Sequence, residues 1–237
     1  MRYRAPQYET DVPETTMVDA ATQRLNMVEG QVLPSDVTDR RILDAMRRLP
    51  RERFVPEALT DIAYTDEALP LTGEGAGRRR LLAPRTQAKL LQLADINAGD
   101  RVLDVGCATG YSAAILAGMG GTIIALECDE NLADAARANL AALDIKNVEV
   151  NLAPLAAGSV NNAPFDAIVI EGAIEVVPDD LLDQLKDGGR LVAILVQDGV
   201  GTATLWKRLG RSADPWGAFD VAAPVLPGFA RKAAFAL

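Results

Sequence analysis

Short apolar runs alternate with amphipathic stretches through the second half of the chain. The runs predict strands at 101–105, 122–127, 147–152, 165–171 and 190–196. Between them the spacing predicts helices at 110–119, 130–143 and 178–186, the second with Asp129 as its N-cap. This alternation is typical of a parallel sheet covered by helices. We therefore expect an α/β fold with a doubly wound, mostly parallel sheet.

The first hundred residues show helical spacing instead. A first helix is predicted from apolar residues at 17, 21, 25, 28 and 32, and a second follows Thr38, a candidate N-cap. Pro50 ends the second helix, residues 64–77 read as a loop, and another helix is predicted at about 86–94. The predicted organisation is one globular domain with three zones, namely a flexible leader at 1–16, a helical and loop region at 17–99 and an α/β core at 100–237.

The end of the chain has a different pattern. Residues 219–226 and 231–237 look extended, with a Pro-Gly turn between them. Antiparallel pairing at one edge of the sheet is therefore expected. Trp206 and Trp216 are expected to cover that edge.

Composition narrows the function classes. At 237 residues and 49% hydrophobic, the chain can bury a sizeable core, while its apolar runs are too short to span a bilayer. Residues 1–16 are polar and show no signal peptide, so we expect a cytoplasmic protein with no membrane partner. There is no histidine and there are two cysteines, which excludes histidine-based triads and four-ligand zinc sites, and no metal is expected.

A net charge of −9 argues against nucleic acid as a partner. Two arginine clusters stand out locally. The first, at positions 40, 41, 47, 48, 51 and 53, is interpreted as a solvated helix face. The second comprises Arg78, Arg79 and Arg80 together with Arg85.

The strongest chemical signal is a glycine turn after the first core strand. Residues 102–111 read Val-Leu-Asp-Val-Gly-Cys-Ala-Thr-Gly-Tyr, so Asp104 precedes two glycines, Gly106 and Gly110. Glycines permit a sharp turn and close approach of a ligand. Glu127 closes the next strand, where a carboxylate can hold the two hydroxyls of a ribose. The pattern predicts a nucleoside-binding edge.

The acid before the glycines indicates which nucleoside binds. A dinucleotide fingerprint places glycines where they admit a pyrophosphate, which a carboxylate at Asp104 would repel. S-adenosylmethionine carries an ammonium, a sulfonium and a ribose but no phosphate, so it is favoured over NAD. The predicted cofactor-binding residues are Asp104, Gly106, Cys107, Ala108, Gly110, Glu127 and Cys128.

From about residue 27 to 229 the chain resembles the protein-L-isoaspartate O-methyltransferases, a family of class I, Rossmann-like S-adenosylmethionine-dependent methyltransferases. The specific blocks are Met-Val-Glu-Gly-Gln at 27–31, Thr-Asp-Arg-Arg-Ile-Leu-Asp-Ala-Met at 38–46, and Pro-Arg-Glu-Arg-Phe-Val-Pro-Glu-Ala-Leu at 50–59. Further matches are Ala-Tyr-Thr-Asp at 63–66, Leu-Pro at 69–70, Ala-Pro-Phe-Asp-Ala-Ile-Val at 163–169 and Leu-Lys-Asp-Gly-Gly-Arg-Leu-Val at 185–192.

The resemblance implies protein repair. The family transfers a methyl group to the free carboxylate of an L-isoaspartyl residue in a damaged protein or peptide, and the ester then cyclises to a succinimide. This carboxylate is ionised at neutral pH, so the chemistry needs positioning and exclusion of water more than acid–base groups.

The chain departs from the family at three places. In the substrate loop, aligned through Pro84, Arg80 replaces a threonine and Leu82 a serine whose hydroxyls help to orient the reacting carboxylate. Ala153 and Pro154 replace a Gly-Asp pair near the adenine, and Ala108 replaces the middle glycine of the cofactor turn. The catalytic residues are therefore left unassigned, with Arg80, Leu82 and Arg85 as loop candidates.

Several interpretations stay open. The arginines at 78, 79, 80 and 85 either line the substrate mouth and attract an anion, or form a solvated loop. Glu171 and Glu175 either face the substrate or lie in a solvated loop, and Tyr111 packs on the cofactor or in the core. Three functions follow: an isoaspartyl methyltransferase, a methyltransferase with another anionic substrate, or a non-catalytic binding module. The oligomeric state cannot be read from the sequence.

Overall fold

The computed structural model describes residues 19–73 and 78–231. The predicted leader at 1–16, Met17 and the extended stretch after Arg231 lie outside the described residues, as do positions 74–77. Within the described part, no helix is long and apolar enough to cross a membrane.

The N-terminal region is helical and packs on the core of the fold. α1 Ala20–Met27 continues through a π-helical turn, Val28–Val32, and α2 Arg40–Arg48 follows. Asp39, not Thr38, caps α2 by accepting from Arg41 N, and Thr38 instead donates to Gln92. Two short 3-10 segments, Arg51–Phe54 and Glu57–Ile62, lead to a two-stranded sheet of β1 Leu69–Pro70 and β2 Arg80–Leu81, and then to α3 Pro84–Leu93.

Five parallel strands form the centre of the fold, as the alternating pattern predicts. Their bounds are β3 Arg101–Val105, β4 Thr122–Glu127, β5 Val148–Leu152, β6 Phe165–Ile174 and β7 Leu185–Gln197. The doubly wound α/β prediction is confirmed, and β6 and β7 are longer than the predicted strands.

An antiparallel edge completes the sheet, as predicted, but it lies earlier in the chain. β8 Val200–Leu209 and β9 Ser212–Asp220 form a hairpin on β7. The stretch at 219–226 is therefore extended strand only to Asp220, and beyond it Val225 makes an isolated bridge to Ala173. Trp206 is buried on β8, whereas Trp216 on the edge strand is mostly exposed.

The strand order is β5-β4-β3-β6-β7-β8-β9, so the connections reverse direction at β3. The chain passes from β3 through β4 to β5, then returns to pair β6 on the other side of β3. In open α/β sheets, ligands bind outside the carboxyl ends of the strands at such a switch point. The turn after β3 lies at this position.

Helices cover both faces of the sheet. α4 Tyr111–Met119 and α5 Glu130–Ala142 match the prediction, and the Asp129 side chain caps α5 by accepting from Leu132 N. α6 is shorter than expected, Asp179–Leu182, because β7 already begins at Leu185.

Candidate functional site

The glycine turn leads directly from β3 into α4. Gly106, Ala108 and Gly110 all have positive φ, at 79°, 51° and 93°. Gly106 N donates to Leu126 O at 2.7 Å, which ties the turn to β4. Ala108 therefore adopts a left-handed conformation that a side chain disfavours, so its methyl group costs backbone strain as well as clearance.

Cys107 and Thr109 fix the turn to its surroundings. Cys107 is buried and its backbone N donates to Leu126 O, while burial raises the pKa of its thiol well above the usual value. Thr109 Oγ1 donates to Phe54 O at 2.6 Å, which anchors the turn to the N-terminal region. Cys107 thus fills the turn as a small, neutral side chain.

Glu127 is fully buried at the end of β4, and both of its carboxylate oxygens accept hydrogen bonds. Oε2 accepts from Ala108 N at 2.8 Å. Oε1 accepts from the backbone N of Cys128 and of Asp129 and from Arg79 Nη1 at 2.6 Å. The carboxylate predicted to hold a ribose is therefore enclosed and hydrogen-bonded by groups of its own chain.

Arg79 reaches this carboxylate from the β1–β2 sheet. Its backbone O accepts from Leu71 N, and its backbone N donates to Thr72 Oγ1 at 2.8 Å. The side chain is 2% exposed, and Nη2 donates to Gly106 O at 2.7 Å. No local pattern indicates the contact with Glu127, because the two residues are 48 positions apart. The solvated-loop interpretation is therefore wrong for Arg79, which lies buried against the glycine turn.

Asp104 is buried beside this pair with one oxygen free of partners. Oδ2 accepts from Ser112 Oγ at 2.7 Å, and Oδ1 has no hydrogen-bond donor among the described residues. Burial raises the pKa of Asp104 to about 7, the charge of Glu127 adds to the rise, and Ser112 and Arg79 oppose it. Asp104 is thus an acceptor without a donor, suited to an ammonium group.

Glu171 adds a second unpaired acid oxygen near the end of β6. Its Oε2 accepts from Gln87 Nε2 at 2.7 Å, and Oε1 has no partner in the described part of the chain. Burial raises the pKa of Glu171 well above its usual value, and the charge of Asp104 contributes. The solvated-loop interpretation is wrong for Glu171. The sequence does contain a signal for burial of Glu171, since apolar or small residues flank it on both sides at 167–170 and 172–174.

Next to Glu127 is an apolar cleft of about 440 Å³. Ala153 and Pro154 are among its lining residues, and Ala153 N donates to Glu127 O at 2.9 Å. The exposed Cys128 and Gly228 also line it. A cleft of this size with mostly apolar walls suits a flat aromatic base.

The three loop candidates do not converge on one point. Arg80 donates from Nε to Ala68 O at 3.2 Å and is tied to its own loop. Leu82 is buried in the hydrophobic core. Arg85 is half-exposed and pairs with Asp66 at 2.9 Å. Their catalytic assignment stays a prediction.

Arg51 departs from the interpretation of the first arginine cluster, because it is completely buried rather than solvated. Its Nε donates to Ala63 O at 2.8 Å and its Nη2 to Leu82 O at 2.6 Å. The guanidinium also lies 4.9 Å from the centre of the Tyr111 ring, which packs edge-on against Phe54 in the core. Arg51 therefore anchors the backbone of the loop at Leu82, and Tyr111 is a core residue.

The strand order, the glycine turn at the switch point and the acids at the ends of β3 and β4 together define a class I methyltransferase fold. The sequence model of the protein-L-isoaspartate(D-aspartate) O-methyltransferases matches residues 25–214. The chain belongs to this family.

Relatives agree with this assignment. The protein-L-isoaspartate O-methyltransferase of Methylorubrum extorquens is 42% identical over 193 residues, covering 81% of this chain and 82% of that protein. That of Methanoculleus marisnigri is 40% identical over 171 residues, covering 72% and 76%. A Plasmodium falciparum crystal structure of a protein described by the same activity, in complex with S-adenosyl-L-homocysteine, superposes with a TM-score of 0.71 at 21% identity, covering 86% and 97%. At that identity the likeness concerns the fold alone.

S-adenosylmethionine is the cofactor of this family, and the residues present fit it. The unpaired Asp104 Oδ1 would accept from the ammonium and Glu127 from the ribose hydroxyls, and the apolar cleft would have room for the adenine. One group stands against the fit. The Arg79 guanidinium is hydrogen-bonded to Glu127 and covers the side of Gly106 on which a Cβ atom would lie.

Proposed function

We propose that this protein transfers a methyl group from S-adenosylmethionine to the free carboxylate of L-isoaspartyl residues in damaged proteins or peptides. The observation that carries the proposal is the combination of family membership with Asp104, Gly106, Gly110 and Glu127 at the switch point of the sheet. The predicted cytoplasmic location is part of the same proposal, as is a protein or peptide partner.

When bound, the cofactor supplies an electrophilic methyl group on a sulfonium. The isoaspartyl carboxylate oxygen would take this methyl group, and the electron pair of the broken carbon–sulfur bond would stay on the sulfur of the S-adenosylhomocysteine product. The nucleophile is a carboxylate with an ordinary pKa near 4, so it needs no general base at neutral pH. The absence of histidine from the sequence is consistent with this chemistry.

The chain contributes binding, orientation and exclusion of water. Asp104 and Glu171 each have one acid oxygen without a partner among the described residues, and these would accept from the cationic end of the cofactor. Arg51 fixes the backbone of the substrate loop at Leu82, so the loop keeps its place even though its side chains lack hydroxyls. Holding the reacting atoms in line without water is the main source of rate for such a transfer.

A synthetic isoaspartyl peptide tests the proposal. The purified protein is incubated with the peptide and methyl-labelled S-adenosylmethionine, and the labelled methyl ester is counted. The same peptide with a normal aspartate serves as the control substrate. We expect label on the isoaspartyl peptide alone, and none with the Asp104→Asn variant. Equal labelling of both peptides, or of neither, contradicts the assigned substrate.

A second candidate function is favoured by the Arg79–Glu127 ion pair, namely a binding module that retains the fold without turnover. Calorimetric titration with S-adenosylhomocysteine separates the two functions. The enzyme binds this product, whereas a module without a cofactor gives neither heat nor a thermal shift. Binding without methylation of the isoaspartyl peptide would instead point to a methyltransferase with another anionic substrate.

A further inference from the structure

Glu127 is out of reach of a ribose while Arg79 is in place, because the pair is buried. An ionised carboxylate accepts about four hydrogen bonds. Glu127 accepts three at Oε1, from Arg79 Nη1 and two backbone N–H groups, and one at Oε2 from Ala108 N. The lone pair left on Oε2 is closed off, because the side chain is completely buried. The backbone donors belong to the turn and the β4–α5 connection and are fixed by the fold. Of these four donors, Arg79 is therefore the one that a side-chain rotation can remove.

The Arg79 guanidinium also fills the space next to Gly106. A Cβ atom placed on Gly106 would lie 2.9 Å from Arg79 Nη2 and 3.1 Å from Leu226 Cδ1. A nucleoside would approach Gly106 from the side that lacks a Cβ atom. Side chains of the protein itself cover that side. The backbone N of Leu226 donates to Ala173 O, which holds Leu226 in place, whereas the Arg79 guanidinium is the tip of a long side chain.

We propose that Arg79 is a built-in competitor of the cofactor, which binds Glu127 and Gly106 O in the place of the ribose and must leave before S-adenosylmethionine can bind. This inference rests on the proposed function only for the identity of the cofactor. It follows that the apparent affinity is lower than the site would otherwise allow, by the fraction of molecules in which Arg79 is displaced.

Arg79→Gln tests this competition by calorimetric titration with S-adenosylhomocysteine. The glutamine side chain is shorter, carries no charge and cannot make the two-pronged contact. We expect the dissociation constant to fall at least about tenfold, which corresponds to a competing contact that is closed in about nine molecules of ten. Arg47→Gln is the matched control, because it removes an arginine that pairs with Glu29 and Asp44 rather than with Glu127, and its affinity should equal that of the wild type.

A second variant guards against misfolding. Arg79→Lys keeps a charge beside Glu127 but offers one nitrogen in place of the two that Arg79 uses, so its affinity should lie between those of the wild type and Arg79→Gln. A circular dichroism melt confirms that each variant is folded. An Arg79→Gln variant that is folded and binds no tighter than wild type, or that does not bind at all, overturns the inference.

The outcome is independent of the isoaspartyl assay. Tighter binding by Arg79→Gln with no methylation of the peptide by any form supports the competitor and refutes the proposed substrate. Methylation by the wild type with an unchanged dissociation constant for Arg79→Gln refutes the competitor alone.

Discussion

Replacing Asp104 with asparagine should stabilise the protein, and by an amount that grows with pH. The carboxyl group is completely buried, Oδ1 has no donor among the described residues, and burial raises its pKa from 3.8 to about 7. Between those values the folded protein holds a proton that the unfolded chain has released, so stability falls as pH rises toward 7. Above about pH 7 both states are ionised and the loss is complete.

The pKa rise from 3.8 to about 7 corresponds to roughly 4 kcal/mol. Asparagine has nearly the same shape, still accepts from Ser112, and carries no charge. The advantage of Asp104→Asn should therefore be about 2 kcal/mol at about pH 5.5 and about 4 kcal/mol at about pH 8.5. Both pH values lie above the sequence isoelectric point of about 4.6, which favours solubility.

Urea unfolding followed by tryptophan fluorescence measures the free energy of unfolding of both proteins, because Trp206 is buried on β8. The midpoint should shift while the slope with urea stays constant. Asp134→Asn, at an exposed carboxylate paired with Arg137, is the control and should show no comparable dependence on pH. A difference between wild type and Asp104→Asn that is the same at both pH values would refute the reasoning, since it would show that Asp104 is ionised throughout.

Three further substitutions probe the frame of the site. Arg51→Met should cost about 2–4 kcal/mol, because two buried backbone carbonyls lose a charged donor; chemical unfolding measures it. Ala108→Gly should raise stability by about 1 kcal/mol, because a left-handed conformation disfavours a side chain; the melting temperature should rise. Gly172→Ala should cost about 1–3 kcal/mol, because the added methyl would lie 2.7 Å from Leu226. The melting temperature should fall, and an unchanged melting temperature would contradict this packing.

The sequence was most informative where local pattern decides structure. The β3 turn and the β4 acid follow from an apolar run with Gly106 and Gly110 and from the carboxylates Asp104 and Glu127. The hairpin of β8 and β9 was less visible, because β9 is exposed on most of its length and carries no alternating pattern. The start of β7 is five residues earlier than predicted for a similar reason, since its first residues include the exposed stretch at 186–188.

The site itself was harder to predict, because its decisive contacts join distant parts of the chain. Arg51 and Arg79 were grouped with other arginines by composition, and each is buried through partners that no local pattern reveals. Glu171 finds Gln87 from 84 positions away. Residue type showed that charges were present, but only the tertiary fold determines which charges are enclosed.

The hydrogen bond from Thr109 to Phe54 O bears on how this protein can be recombined with its relatives. Together with the packing of Phe54 against Tyr111, it joins the glycine turn and the N-terminal region into one structural unit. Chimeras with a crossover between positions 54 and 111 would take the two sides of these contacts from different parents, whose side chains are then not matched. Crossover points in the β8–β9 hairpin, outside this unit, should give functional hybrids much more often.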